Sequence, residues 1–359
     1  MDPRHLDTAR RPFVLIWELT QACELACKHC RADANPRRHP DELTTKEGMR
    51  LLEGVREFGE GQLLVLSGGD PLAREDAVHL VDYGTDIGLR VSLTPSGTAS
   101  LTPERVEALA DAGLRRMALS LDGGSPSAHD AFRGEPGSFH STLRAARQAR
   151  EAGLPLQVNT TVCADTVEEL PAVRQIVADL GAVLWSVFFL VPVGRGRVLD
   201  PISPERAEDV MEWLCEVADD APFGVKTTEA PHYRRVAAQR GRGSDATKHP
   251  PSDGIGRRTG VTAGDGFAFV SHVGEVFASG FLPVSTGNVR EESLVDLYRN
   301  AGLFRSLRNR DWLRGKCGAC EFRHVCGGSR SRAHAVTGDH LASDPLCPYV
   351  PEGYEGPVP

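Results

Sequence analysis

Cys23-Glu-Leu-Ala-Cys27-Lys-His-Cys30 decides the reading of this chain: three cysteines within eight residues, spaced C-x3-C-x2-C. They follow Phe13-Val-Leu-Ile-Trp17, a short apolar run with the composition of a buried strand. Three thiolates on one tight loop hold three irons of a 4Fe–4S cube. A closed cube takes four cysteines, so one iron is left open to a small molecule. The competing assignment is a zinc knuckle, in which His29 completes the four ligands of a closed zinc site.

Composition narrows the setting. The chain has 359 residues, 40% of them hydrophobic and 25% charged, which is ordinary for a globular protein with a sizeable core. The length suits one large α/β domain and a smaller module. A net charge of −8 argues against nucleic-acid binding, which needs a basic footprint. No apolar run approaches the ~20 residues of a membrane span, and Met1-Asp-Pro-Arg-His5 lacks a signal-peptide pattern. The expectation is a cytoplasmic protein with no membrane partner. In that compartment clustered cysteines bind metal more readily than they form disulfides. Seven of the nine cysteines fall in two clusters: Cys23, Cys27 and Cys30, then Cys317, Cys320, Cys326 and Cys347. Cys163 and Cys215 stand alone and read as small buried hydrophobes.

Beyond the cysteine loop, short apolar runs alternate with helical periodicity. Strands are expected at Leu63–Leu66, Arg90–Thr94, Arg116–Ser120, Leu156–Thr160 and Val183–Leu190. Helices are expected at Leu43–Phe58, Ala73–Asp86, from Thr102-Pro103 onward, Phe139–Ala152 and Val167–Leu180. Thr44 or Thr45, with Glu47 behind it, supplies the first N-cap. The fold expected is α/β: a partial (β/α)6 barrel of TIM type with a small C-terminal α+β iron–sulfur module. Chemistry in such folds sits at the carboxyl ends of the strands. The polar loops obey this: Ser67-Gly-Gly-Asp-Pro71, Thr94-Pro-Ser-Gly97, Ser120-Leu-Asp-Gly123, Asn159-Thr-Thr161 and Val191-Pro-Val-Gly-Arg195 each follow a strand.

The cysteine loop and its setting resemble the radical S-adenosylmethionine (SAM) superfamily, where the open iron chelates the amino and carboxylate groups of SAM. Gly68-Gly69-Asp70 resembles the family's GGE motif, with Asp70 where Glu is common, and implies backbone contacts to the SAM amino group. Ser120 and Asp122 then face the SAM ribose and carboxylate. Asn159 and Thr161 are further polar contacts, and Arg195 pairs a carboxylate of SAM or of a substrate. Taken without the resemblance, Gly-Gly-Asp-Pro is an ordinary turn and Asp122 a turn residue.

The middle of the chain holds an amphipathic helix, Ser203–Val217, and a candidate strand, Val225–Glu229. Arg234–Arg258, rich in Arg, Gly, Ser and Pro, is expected to be a mobile loop, either a plain linker or a lid over an acidic substrate. Phe267–Ser279 reads as two strands turned at His272-Val-Gly274, and Leu294–Leu307 as a helix. Cys317-x2-Cys320-x5-Cys326 and Cys347 make a closed set of four, open by spacing to zinc or to a second 4Fe–4S cluster.

These C-terminal motifs, with Arg330-x-Arg332-Ala333 and Asp344-Pro-x-Cys347, resemble the SPASM/twitch extension of radical SAM enzymes. They look most like the subgroup that modifies tetrapyrrole propionates in haem formation. Many such proteins have cysteine where this chain has Ser279 and Ser329, so one auxiliary cluster is expected. The implied division is a tail over 1–12, a radical SAM core over 13–200, a connection over 201–260, an auxiliary-cluster domain over 261–350 and a tail over 351–359. The resemblance implies reductive cleavage of SAM to a 5′-deoxyadenosyl radical, hydrogen abstraction from a small-molecule or tetrapyrrole substrate, and oxidation of the substrate through the auxiliary cluster. It also implies a reduced flavodoxin- or ferredoxin-type donor. Arg330, Arg332 and His272 are candidates to meet substrate carboxylates. Two rivals stand beside this reading. One is a maturase of a ribosomally made peptide, against which the dozen residues before the first strand weigh. The other is a non-catalytic zinc or cluster-binding protein.

Overall fold

Local sequence sets the first helix. The Thr44 hydroxyl accepts from the Glu47 amide while the Glu47 carboxylate accepts from Thr44, a capping box that starts α1 at Thr45–Arg56. The structure, a computed structural model, describes residues 7–241 and 261–358. In chain order β1 (Val14–Thr20), α1, β2 (Leu63–Gly68), α2 (Ala77–Asp86), β3 (Arg90–Leu93), α3 (Pro103–Asp111), β4 (Arg116–Ser120), α4 (Pro126–Arg133), α5 (Ser138–Glu151), β5 (Leu156–Val162), α6 (Leu170–Asp179), β6 (Leu184–Phe189), α7 (Pro204–Asp220), β7 (Gly224–Thr228) and α8 (Tyr233–Gln239) lead into the last third. There β8 (Thr262–Ala263), β9 (Gly266–Val270), β10 (Glu275–Ser279), β11 (Leu282–Asn288), α9 (Leu294–Asn300), α10 (Gly302–Arg308), α11 (Gly315–Ala319) and α12 (Arg330–Thr337) follow.

Strands β1 to β7 run parallel in sequence order. This is the open α/β barrel expected, with Val225–Glu229 supplying a seventh parallel strand. Side-chain alternation gives the sheet its two faces. Leu15, Trp17 and Leu19 of β1, Leu64 and Leu66 of β2, Met117 and Leu119 of β4, and Leu156 and Val158 of β5 are buried under the helices. Their neighbours Ile16, Val65, Ala118 and Gln157 face an interior cavity. A one-residue slip would exchange the two faces, and each buried Leu or Val is worth about 1.5–3 kcal/mol, so the register is tightly held.

The C-terminal strands do not stand apart. β9 lies parallel to β1, with Val14 opposite Phe267 and Trp17 opposite Val270, and β9, β10 and β11 continue antiparallel. The open edge of β1 is thereby covered, which removes an unpaired row of backbone groups.

Several expected boundaries shift. Ser125 caps α4, a helix absent from the sequence reading. The stretch Leu294–Leu307 breaks at Ala301, whose backbone is extended (ψ 139°), into α9 and α10. The helix expected from Val167 begins as a 3-10 turn, Val167–Glu169, before α6. The expected mobile loop is corrected at its start: Arg234–Gln239 belongs to α8, whose Tyr233, Arg235, Val236 and Ala237 are buried. The rest of that stretch, 242–258, lies outside the described residues. Among the described residues no helix is long and apolar enough to cross a membrane.

Candidate functional site

A cavity of about 480 Å³ fills the barrel and is lined at its upper end by Cys23, Cys27, Cys30, Gly68, Gly69 and Ser96. None of the nine cysteines forms a disulfide. Burial pushes the Cys23 and Cys27 thiols above their usual pKa, so they are protonated at neutral pH until a metal displaces the proton. Backbone amides already point at the sulfurs: Leu25 N–H lies 3.4 Å from Cys23 Sγ and Ala34 N–H 3.4 Å from Cys30 Sγ. The Ser96 hydroxyl is 3.4 Å from Cys23 Sγ. Amide donors of this kind tune and hold cluster thiolates.

The loop is clamped from both sides. Gly69 N–H donates to Thr20 O and Asp70 N–H to Ala22 O, at 2.8 and 2.7 Å. A Cβ at Gly69 would stand 2.4 Å from Ala22 O, so only glycine permits this approach. On the other side Gly194, at φ +54°, brings Arg195 against the loop, and a Cβ there would stand 2.4 Å from Arg31 O. Arg195 donates through Nε to Cys27 O at 2.9 Å and through Nη1 to Ala34 O at 2.7 Å, and its amide donates to Cys30 O at 3.0 Å. The structure thus gives Arg195 to the loop backbone; of its side-chain nitrogens, Nη2 has no hydrogen-bond partner among the described residues.

The other sequence-predicted residues divide into wall and support. Gly68, Gly69, Ser120, Asn159 and Thr161 line the cavity. Asp70 and Asp122 do not: they are 3% and 1% exposed and lie behind its wall. Asp122, expected to face the ligand, thus lies one layer back from the cavity surface. The Asp70 carboxylate accepts from Leu72 N–H and from the Thr98 and Ser100 hydroxyls at 3.1, 2.8 and 2.7 Å, which fixes the turn that presents Gly68 and Gly69. Asp122 accepts from Thr161 N–H at 2.8 Å and faces Arg133 Nη1 at 3.6 Å. Burial alone would raise its pKa, but His29 and Arg133 hold it below the usual carboxylate range. His29, the candidate fourth zinc ligand, stacks on Phe132 with ring centroids 4.8 Å apart, and burial lowers its pKa to about 4. Arg133 lines the cavity beside the three cysteines; it was missed because it sits at the end of the unrecognised helix α4.

The second cysteine set closes a pocket. Cys317, Cys320, Cys326 and Cys347 line it with Arg235, Lys316, Gly327 and Gly328. Burial pushes the Cys326 and Cys347 thiols up to about 12 and about 11. Asp344 N–H points at Cys317 Sγ from 3.4 Å and Gly328 N–H at Cys326 Sγ from 3.3 Å. Two buried cations adjoin it, Lys316 at 3% exposure and Arg330 at 1%. Lys316 donates to Cys347 O, while Arg330 donates to His340 O and Ala342 O and lies 3.7 Å from Cys317 Sγ. Among the described residues neither pairs with a carboxylate, since Asp344 is taken by Arg332 at 3.1 Å. Buried cations are costly unless compensated, so this pocket fits a resident anionic metal–thiolate centre. Among the described residues no three Cys, His, Asp or Glu side chains converge closely enough to hold one metal ion; both cysteine sets ring a space instead.

The two sites share a wall. Gly328 lines both the cavity and the four-cysteine pocket, and Ser329 lines the cavity. Opposite it Glu229, a non-glycine residue at φ +54°, accepts from the Ser279, Ser329 and Ser331 hydroxyls. The serines that replace expected cysteines therefore build a hydrogen-bonded node around one carboxylate. The arginines proposed for substrate carboxylates are spent inside the fold: Arg332 binds Leu190 O, Phe189 O, Glu229 O and Asp344. His272 is held by Glu18 at 2.6 Å.

Comparison with known proteins agrees with this geometry. Residues 17–175 match the model of the Radical SAM superfamily. The AdoMet-dependent heme synthase of Methanosarcina barkeri (strain Fusaro) is 43% identical over 341 residues, covering 95% of this chain and 97% of the relative. That of Nitratidesulfovibrio vulgaris (strain Hildenborough) is 38% identical over 353 residues, covering 97% and 96%. Among solved structures, Streptococcus suis SuiB bound to S-adenosylmethionine shares the fold, with a TM-score of 0.69 at 16% identity over 95% of this chain and 78% of that one. A cysteine loop at the mouth of an open barrel, matched over nearly the full chain by such relatives, makes this protein a member of the radical SAM superfamily of enzymes, which work with a 4Fe–4S cluster and SAM.

Proposed function

We propose that this enzyme oxidatively removes propionate side chains from a tetrapyrrole, using one SAM-binding cluster and one auxiliary 4Fe–4S cluster. The observation that carries the reading is the single cavity that runs from Cys23, Cys27 and Cys30 to the Gly328–Ser329 wall of the four-cysteine pocket. A substrate held there touches the hydrogen-abstracting end and the electron-accepting end together. The names of the relatives at 43% and 38% identity support a tetrapyrrole. So does the lining, which includes the apolar side chains of Ile16, Val65, Phe267, Phe269 and Phe281. About 480 Å³ is within the range of small-molecule sites.

The first centre, when loaded, supplies an electron to SAM and through it a radical that takes one hydrogen atom from the substrate. The chain's own residues do the rest. The Gly68–Gly69 edge and Ser120 offer backbone and hydroxyl groups to SAM. Arg195 and Gly194 hold the cysteine loop, and the apolar lining excludes water. Each propionate then loses CO2 and one further electron, leaving a vinyl group. We assign the core to residues 13–200, the connection to 201–260 and the auxiliary module to 261–350, with a reduced flavodoxin- or ferredoxin-type protein as donor. A peptide substrate has less support, because the likeness to SuiB at 16% identity concerns the fold alone.

The test is an anaerobic incubation of reconstituted enzyme with SAM, a reductant and an iron tetrapyrrole carrying deuterated propionates. The expected result is deuterium in 5′-deoxyadenosine and a tetrapyrrole lighter by CO2 and two hydrogens per side chain. Formation of 5′-deoxyadenosine with no deuterium in it and no change in the tetrapyrrole would reject this substrate class.

A further inference from the structure

The two cysteine sites differ in the cations around them: among the described residues, carbonyls and no carboxylate hold Arg195 at the first loop, and both Lys316 and Arg330 at the second. Beside the first loop the buried guanidinium of Arg133 is matched by Asp122 at 3.6 Å. Around the second, Lys316 and Arg330 have only carbonyls and a cysteine sulfur as partners among the described residues. Arg235 adds a guanidinium 3.9 Å from Cys347 Sγ, though its charge is shared with Glu208. Four thiolates on a resting 4Fe–4S core leave two negative charges, and reduction adds a third. Asp344 offsets part of the Arg330 charge without an ion pair to it, and nearby cations lacking a paired carboxylate favour the state with the extra electron.

We infer that Lys316 and Arg330 are the counter-charges of the auxiliary centre and hold its reduction potential above that of the loop centre, so that it takes the electron left on the substrate. This rests on the proposed function. In the step concerned, the substrate radical loses one electron as the bond to its carboxylate breaks. A carbon–carbon double bond forms, CO2 departs, and the auxiliary centre is reduced by that one electron. A one-electron carrier protein then reoxidises the centre and is itself reduced. Gly328, which faces both the cavity and the pocket and donates to Cys326 Sγ at 3.3 Å, is the wall the electron crosses.

The experiment is a dye-mediated redox titration followed by electron-spin resonance. It uses the reconstituted full chain in a background where Cys23, Cys27 and Cys30 are alanine, so that only the auxiliary centre reports. Lys316→Met and Arg330→Met each remove a charge while keeping an unbranched apolar side chain. Each is expected to lower the midpoint by at least tenfold in the reduced-to-oxidised ratio, about 59 mV for a one-electron couple. Lys316→Arg is expected to stay near the parent. An unchanged midpoint with full iron content overturns the inference. Zinc in place of iron at the four cysteines overturns the underlying reading instead, which iron and zinc analysis of the same samples distinguishes. If the methionine variants do not fold, Lys316→Gln serves: it keeps a donor for Cys347 O without the charge. It should lower the midpoint in the same direction, and no shift there also overturns the inference.

Discussion

Replacing Arg195 by Met separates two roles for one arginine. The sequence gives it to a carboxylate of SAM or substrate; the structure gives it to the backbone of the cysteine loop. Its two side-chain bonds, 2.9 Å to Cys27 O and 2.7 Å to Ala34 O, are charge-assisted. Hydrogen bonds to a charged group contribute about 1.5–3 kcal/mol each. With partial exposure and non-additivity the pair is worth about 3 kcal/mol of loop order, roughly a hundredfold in the population of the opened loop. Anaerobic release of iron from the first centre to a chelator reads that population. Arg195→Met should accelerate it about a hundredfold. Arg195→Lys, able to replace one carbonyl bond at most, should fall between. If iron is retained at the parental rate while SAM binding weakens, the loop-clamp reasoning is wrong and the arginine acts on the ligand.

Gly69→Ala forces a Cβ to within 2.4 Å of Ala22 O and 2.6 Å of Gln21 O; overpacking of this kind costs about 1–3 kcal/mol, so the thermal midpoint should fall and the first centre should be lost, and a parental midpoint would refute the clash. Asp70→Asn removes the charged acceptor of four donors, Leu72 N–H, Ser96 N–H and the Thr98 and Ser100 hydroxyls. SAM affinity should drop about tenfold with iron content unchanged, read by equilibrium dialysis. His129 is buried, its Nδ1 accepts from Asp122 N–H, and burial lowers its pKa to about 4. Between the usual histidine value and about 4 the unfolded chain binds a proton that the folded chain refuses, so this group removes stability as pH falls through that window. His129→Gln should therefore shrink the loss of denaturation midpoint between pH 7 and pH 5, by about 2 kcal/mol in stability terms.

The barrel was legible because parallel strands covered by helices repeat one simple pattern, and because the loops that carry function all lie at the same ends of those strands. Thr44 or Thr45, with Glu47 behind, marked the start of the first helix, and the structure selects Thr44. What sequence did not reveal depends on long-range pairing. The placement of β9 along β1 joins Phe267 to Val14 across most of the chain, and no local pattern encodes that neighbour. Helix α9 ends at Asn300 and α10 begins at Gly302 because the extended Ala301 turns the chain between them; apolar periodicity carries across such a break without showing it.

Polar residues were the harder case, for a physical reason. A motif position says that a residue type is needed, but not on which side of the wall its side chain lies. Gly69 and Asp70 are adjacent in sequence, yet one faces the cavity and the other anchors the turn from behind. Lys316 shows the same limit more sharply. No motif singles it out beside Cys317, yet the fold buries it to 3% exposure with a carbonyl as partner. A buried ammonium without a carboxylate costs several kcal/mol, and a chain has little reason to keep it unless something anionic occupies the adjoining space. The four cysteines are the groups that can hold such an anion. The lysine is therefore evidence about the pocket's occupant that the cysteine spacing, shared by zinc and iron–sulfur sites, does not contain.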